Sequence, residues 1–441
     1  MSARNRELVA LIPASLLITA GFTAILIQNH AKGGVVDNRT ISSGSLTYGL
    51  LFLGLCLATH IVLRMTLPHA DPYMFPLVAV LACFGLVMIY RLNEADARQQ
   101  AQWFVLGLIL FTTTIVVFRD YRKLEGYRYV IAAAGIGLLL LPRVPGIGAQ
   151  TNGAYLGVRI PGLFVFQPAE LAKIAIVIFL ASYLRDTRQL LVQGARRVLG
   201  VTVPPLKHFG PLLVVWGSAM LMLIVIRDLG SSLMFFGGFL AIVYVATGRV
   251  SFVLIGLVLF VLGAWFFATH VGHVHDRVDA WQHPFRRTLY DKVGGSYQLA
   301  QGLFAQADGG LFGQGFGQAV LTTPTGQVIV PAAKTDLIYA VITNELGLFG
   351  ASAVILTYLL VVQRGFKAAM LARDSFSKLL ATGLTSVLAL QVFVIVGGVT
   401  KAIPLTGVTL PFVSYGGSSI LANFILLALL LLVSDRARRP V

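Results

Sequence analysis

Charge is scarce in this sequence: only 12% of its 441 residues are Asp, Glu, Lys or Arg, and 18 of those are acidic. No soluble domain of this length needs so apolar a composition, so a water-soluble globular enzyme is excluded. Cysteine is nearly absent. Cys56 and Cys83 are the only two, both within apolar runs, which argues against a disulfide framework and against a thiolate metal site. The eight histidines are scattered. His270, His273 and His275 gather at the edge of an apolar run, but no H-E-x-x-H or comparable ligand spacing accompanies them. There is no phosphate-binding loop, no long internal repeat and no low-complexity tail, so nothing points to ATP-driven transport. The alternating apolar pattern of a membrane β-barrel is missing as well.

What is present is hydrophobic sequence, 57% of the chain. Backbone polar groups in lipid must be satisfied inside each segment, so the composition predicts an all-α, polytopic helical membrane protein. Runs long enough to cross a bilayer fall near 6–28, 46–67, 73–92, 101–118, 126–142, 168–184, 209–227, 230–247, 250–271, 336–362, 379–400 and 415–434, about twelve spans. Arg4 and Arg6 precede the first run without a small-residue cleavage site, which reads as a retained span and not a signal peptide. One set of short loops collects most of the Lys and Arg, among them Arg119, Arg122, Lys123, Arg185, Arg188, Arg249, Arg364, Lys367 and Arg436. That bias predicts cytoplasmic termini in a plasma membrane protein. The net charge of +16 then reflects cytoplasmic loops and anionic lipid or phosphate ligands, with no nucleic acid involved.

The longest connection, 272–335, lies between the ninth and tenth spans and is expected to form a large extracellular loop. It holds Trp281, Tyr290, Tyr297, Phe304 and Phe312, too many aromatics for a floppy linker. Its run Gly309-Gly-Leu-Phe-Gly313-Gln-Gly315-Phe-Gly317 reads either as turn chemistry or as close backbone approach to a ligand. At the far end of the loop, Pro331-Ala-Ala-Lys334-Thr-Asp336 gives way abruptly to an apolar run. Ionisable groups at membrane depth are costly and point to function, although Thr335 or Asp336 could equally cap the helix that follows. Glu345 is also in that run, on the opposite azimuth from Asp336.

Two further charged clusters stand at span boundaries. Glu170 and Lys173 are three apart, on one helix face. They make either an internal ion pair or a cation presented to an anionic group. Arg227-Asp228-Leu-Gly-Ser-Ser232 reads as structural. The segment Lys401 to Ser419 breaks helix repeatedly yet stays apolar, a combination tolerated at membrane depth where backbone is buried in protein or lines a cavity.

These segments together resemble the SEDS family (shape, elongation, division and sporulation) of polytopic peptidoglycan polymerases. The matching stretches are Gln167-Pro-Ala-Glu-Leu-Ala-Lys173, Asp228-Leu-Gly-Ser-Ser232, Gly309-Gly-Leu-Phe-Gly-Gln-Gly315, Lys334-Thr-Asp336, Asn344-Glu-Leu-Gly-Leu348 and Pro411-Phe-Val-Ser-Tyr-Gly-Gly-Ser-Ser419. They occur in family order over roughly 73–434. The chain resembles the elongation branch of high-GC Gram-positive bacteria more than the division branch. The resemblance implies a ten-span core at 73–441, including loop 272–335, and a two-span N-terminal extension at 1–72. There are departures from the family pattern. Tyr155, Leu156 and Gly157 stand where the family often has Lys or Arg and Trp, and His283-Pro284 stands for an Asp-Pro.

By resemblance, the reaction is inverting glycosyl transfer that builds β-1,4 glycan strands from lipid II during cell-wall elongation and releases undecaprenyl diphosphate. Asp336 matches the family's essential acid and is the expected general base. Lys173, Arg277 and Lys334 are the expected cations for the diphosphate, in that order, with Glu170 and Gln301 as further substrate contacts. Glu345 is expected in a structural ion pair with a neighbouring span. The partners implied are lipid II, the nascent glycan strand, membrane lipid and a class B penicillin-binding protein. No cofactor is identified, and a divalent cation has no supporting spacing. The rival functions are a flippase for the same lipid-linked precursor and a division-septum polymerase of the same family. A scaffold without chemistry is a third.

Overall fold

Runs of twenty or more apolar residues, capped by short polar side chains and ended by glycine or turn sequence, dictate the elements here. The computed structural model describes residues 3–31, 38–151, 154–160, 164–193, 196–198, 201–203, 217, 228–292, 295–322 and 328–440. The long helices are α1 (Ala3–Ala31), α2 (Asn38–Thr66), α3 (Met74–Leu92), α4 (Glu94–Val117), α5 (Arg128–Leu140), α6 (Pro168–Gln193), α7 (Leu229–Thr247) and α8 (Val250–His270). The connection that follows carries α9 (Gly272–Gln282), a single turn at Arg287–Tyr290 and α10 (Tyr297–Gly309). Three helices close the chain: α11 (Ile338–Leu371), α12 (Ser375–Val399) and α13 (Gly417–Arg438).

The fold is an all-α multi-pass membrane bundle. Among the described residues, ten helices are long and apolar enough to cross a membrane. Helix α6 has 26 residues, about 39 Å at 1.5 Å per residue, but carries Glu170, Lys173 and Arg185 through its apolar stretch and is not one of the ten. The span expected at 209–227 lies, apart from Gly217, outside the described residues. Helix starts follow local capping. Asn93 accepts from Asp96 N at 3.0 Å ahead of α4, and Asp228 accepts from Ser231 N at 3.0 Å ahead of α7. Asp374 does the same for α12 from Ser377 N at 2.9 Å. Each supplies an acceptor to a first-turn N–H that no carbonyl can reach.

Helices α12 and α13 form the centre of the bundle; 89% of the apolar window of α13 is buried, against 6% for α8. Helix α8 therefore turns nearly all of its surface to lipid. Helices α1 and α2 pack on each other, α1 also on α3 and α2 on α4. Arg4 Nη2 donates to Ala70 O at 2.5 Å, and His60 Nδ1 lies 2.7 Å from Glu7 Oε1, so the first two helices are tied to the rest by buried polar contacts as well as by packing.

The structure adds a feature that the sequence reading does not contain. Between α5 and α6, strands Gly148–Thr151 (β1), Ala154–Ile160 (β2) and Phe164–Phe166 (β3) form an antiparallel sheet in the order β1-β2-β3, with a bulge between Ala149 and Gln150. Its glycine content reads as loop, while the chain pairs in register with Val158 opposite Phe166 and Arg159 opposite Val165.

The glycine run of the long connection has a definite task. Helix α11 is broken at Gly347 (φ 66, ψ −171), which leaves carbonyls of the preceding turn without helical donors. The loop supplies them: Gln314 N donates to Asn344 O at 2.9 Å and Gly315 N to Glu345 O at 3.1 Å. In return Leu348 N donates to Gly310 O at 3.0 Å and Phe349 N to Leu311 O at 3.2 Å. Backbone meets backbone here, so a Cβ on Gly313 would lie 2.2 Å from Glu345 O. The close approach that the glycines permit is therefore to the chain's own kinked helix. Gly313 also has φ +84, so Gly313→Ala is expected to destabilise by at least about 1–3 kcal/mol from backbone strain alone. A melting temperature in detergent equal to that of the wild type would contradict this.

Candidate active site

Asp336 stands two residues before α11. The helix begins at Ile338, with Leu337 at the cap and no side-chain cap bond, so the capping alternative for Asp336 does not describe this end. Its carboxyl instead has Gln298, from α10, and Thr335 as polar neighbours that favour its ionised form. Arg277, on α9, is close enough for its charge to favour the ionised form. Burial dominates all three and pushes the carboxyl up to about 6. A carboxyl in that range is ionised at neutral pH and still basic enough to accept a proton.

The broken segment 400–416 forms one wall. Side chains from several helices satisfy its free carbonyls: Trp281 Nε1 donates to Lys401 O at 2.9 Å, Arg277 Nη1 to Leu405 O at 3.1 Å and Gln391 Nε2 to Thr409 O at 3.0 Å. Gln100 Nε2 donates to Ser414 O at 3.2 Å. Irregular backbone is thus sustained by buried polar partners. Gly407, at φ +75, runs so close to Asp336 that an added Cβ would lie 3.7 Å from its Oδ2. Ala332, Lys401 and Phe412 have positive φ without being glycine, and such strain gathers where the surrounding structure over-determines the backbone.

Glu170, Lys173 and Asp228 also stand against this segment, Glu170 and Asp228 beside Gly407 and Thr409. Lys173 Nζ donates to Glu170 Oε2 at 2.6 Å and to Gln391 Oε1 at 2.8 Å. Lys173 is 2% exposed and Glu170 7%, so the two form the internal ion pair. Asp228 is raised by burial and lowered by the hydrogen bonds from Ser231 and then by the Arg277 charge, so Arg277 acts on both carboxyls. A cleft of about 20 Å³ lies among Gln167, Glu170, Asp228, Ser231, Gly407 and Thr409, room for about one water.

The sequence model of the FtsW/RodA/SpoVE family, described as cell cycle protein, matches residues 72–439. The chain belongs to this family. The peptidoglycan glycosyltransferase RodA of Mycobacterium tuberculosis is 41% identical over 99% of this chain and 92% of its own length. A probable peptidoglycan glycosyltransferase FtsW of Geobacter metallireducens is 32% identical over 82% of this chain and 94% of its own. Among solved structures, a chain of a peptidoglycan synthase complex that coordinates polymerization and crosslinking superposes with TM-score 0.66 at 24% identity, covering 84% of this chain and 99% of that one. That similarity is one of fold.

For this FtsW/RodA/SpoVE-family chain, the structure sets the charge of Arg277 on Asp336 and pairs Lys173 with Glu170 and Gln391. Gln301 lies one turn along α10 from Gln298 and donates to Tyr290 Oη at 2.6 Å. Lys334 turns elsewhere: its Nζ pairs with Asp96 Oδ2 at 2.5 Å and lies 5.0 Å from the Tyr415 ring centroid. Glu345 Oε1 is 2.7 Å from Arg91 Nε of α3. Arg277 is thus the cation nearest the expected base, ahead of Lys173 and Lys334. Sequence reasoning did not single out Gln298 or Gln391. A lone Gln inside the apolar run of α12 was a usable signal for Gln391. Gln298 had none, because its partner lies across a loop. Among the described residues no group of three His, Cys, Asp or Glu could hold a metal ion.

Proposed function

We propose that this chain is a peptidoglycan glycosyltransferase that lengthens β-1,4 glycan strands from lipid II by inverting transfer. Full-length relatives at 41% identity bear that activity in their names. The observation that carries the mechanism is Asp336, a half-buried carboxyl raised to about 6 beside a guanidinium, at the end of the 272–335 connection. Asp336 takes the proton of the acceptor sugar hydroxyl as it attacks the anomeric carbon, and the C–O bond to the diphosphate breaks. Arg277 stabilises the negative charge that develops on the leaving diphosphate. Lys/Arg bias puts this face outside and both termini in the cytoplasm, where the lipid-linked sugar meets the growing wall. The transpeptidase partner is a class B penicillin-binding protein; a similarly folded chain occurs in a synthase complex that couples polymerization to crosslinking.

The deciding experiment is polymerisation of purified lipid II by wild type and Asp336→Asn, each with and without the cognate transpeptidase. Glycan from wild type and none from the variant is the expected result. A wild type that moves lipid II across a bilayer and makes no polymer would leave the flippase reading in its place.

The base also fixes the pH dependence. Its folded-state value is raised, so the active, deprotonated form grows as pH rises through about 6. The rate is expected to fall about tenfold per pH unit below that value. Arg277 lowers the carboxyl's value, so Arg277→Gln is expected to move the acid limb to higher pH. An acid limb that stays in place in Arg277→Gln would break the electrostatic link between the two residues.

A further inference from the structure

A cavity of about 560 Å³ lies between α10, the first two turns of α11 and residues 314, 318–321 and 329–330. Its volume is that of an ordinary small-molecule site, ~300–1,000 Å³. The wall includes Gln301, Phe304, Asp308, Gln314, Gln318 and Asn344. Four of these six are amides, one is an aromatic ring and one is a carboxylate. None of the lining residues is a Lys or an Arg, so the cavity is unsuited to a diphosphate, whose cation Arg277 stands beside Asp336.

The cavity continues the active site along one helix. Gln298, Gln301, Ala305 and Asp308 follow at helical spacing on one face of α10. Gln298 neighbours Asp336 closely enough to favour its ionised form; Gln301, the nearest wall residue on this helix, lies one turn further, about 4.5 Å of rise. From Gln301 to Asp308 the wall extends about 10 Å, the length of a disaccharide.

Two further observations point to what it holds. Asn344 Nδ2 donates to Ala305 O at 2.8 Å, but its buried Oδ1 has no donor among the described residues. Buried polar atoms are normally paired, and Asn344 lines the cavity, so a turn of its amide would offer this unused acceptor to a ligand N–H or O–H. Phe304 is 48% exposed and stacks on Phe285 at 5.4 Å between centroids. That pair offers a rigid apolar platform to the C–H face of a pyranose, while the amides both donate and accept, as hydroxyl and acetamido groups require. The geometry points to this cavity as the seat of an uncharged, N-acetylated amino-sugar segment of the glycan, next to the sugar that reacts at Asp336. The inference rests on the glycosyltransferase reading above.

The test uses the full-length protein in detergent and a soluble tetramer of β-1,4-linked N-acetylglucosamine as probe, with binding followed by calorimetry. Gln318 and Phe304 are exposed wall residues, and Gln318→Ala and Phe304→Ala are expected to weaken tetramer binding at least tenfold while melting as the wild type does. Asp336→Asn should bind the tetramer normally. With lipid II as substrate, a slower first coupling in the wall variants assigns the cavity to the acceptor. A normal first coupling followed by shorter strands assigns it to the growing chain. Wild-type tetramer binding in both wall variants, or no binding by the wild type at millimolar probe, overturns the inference. The two readings fail separately, since polymerisation by Asp336→Asn removes the base and leaves sugar binding untouched. Should Phe304→Ala melt early, Gln318→Ala decides alone.

Discussion

Asp336→Asn should lower the rate of glycan polymerisation by about 10²–10⁴-fold, the usual contribution of a positioned general base. A sugar hydroxyl is a poor nucleophile, and an amide in place of the carboxylate can hold the hydroxyl but cannot take its proton. The substitution preserves shape, and an amide suits the polar neighbours Gln298 and Thr335, so folding and membrane insertion should be intact. Asp336→Glu is the sharper control. It keeps the base but lengthens the arm by one methylene, which moves the carboxyl off its position beside Gly407 and Gln298, so it should recover part of the rate at most. Because burial alone raises the carboxyl, the residual activity of the Asn variant should lose the acid limb near pH 6. Polymerisation at the wild-type rate by Asp336→Asn would falsify the assignment of the base.

Much of this architecture was legible in the chain because membrane helices are specified locally. Each needs an apolar run of sufficient length, and eleven of the twelve expected runs coincide with helices in the structure. The family followed from motifs at span boundaries, where charge is rare enough to stand out. The sheet of β1 to β3 was not legible: it is held by cross-strand register, as between Val158 and Phe166, and register depends on residues that a local pattern does not identify. The same limit applies to the cations. Lys173, Arg277 and Lys334 look alike in sequence, since each is a base near a boundary. Only packing shows that Lys173 is spent on Glu170 and Gln391, and Lys334 on Asp96, while Arg277 stands by Asp336. The glycine run illustrates the point differently. Its positive-φ positions could be anticipated, but its docking partner, a helix kink some thirty residues later, could not.

That docking is clamped by one ion pair, and removing half of it should be the most damaging change to stability in the loop. Arg91 Nε lies 2.7 Å from Glu345 Oε1, with the two side chains 11% and 0% exposed. Glu345 Oε2 accepts from Gly317 N at 2.9 Å, and Arg91 Nη2 donates to Gly317 O and Ala319 O, each at 2.9 Å. The pair thus fastens α3, α11 and the end of the glycine run at one point. Breaking a buried pair from one side costs about 3–5 kcal/mol, because the remaining charge stays in a low-dielectric surrounding. Arg91→Leu is therefore expected to lower the melting temperature sharply and to expose the 313–322 stretch to protease. Arg91→Leu/Glu345→Leu removes both charges and should recover most of the loss, since replacing a whole buried pair by apolar side chains is often close to neutral. Ala319 and Asn344 line the 560 Å³ cavity, and both adjoin residues that this clamp holds. The single variant should accordingly lose polymerase activity beyond its loss of folded protein, and the double variant should regain fold more fully than rate. Equal melting and equal protection in Arg91→Leu and wild type would show that backbone docking at Gly347 holds the loop without the charges.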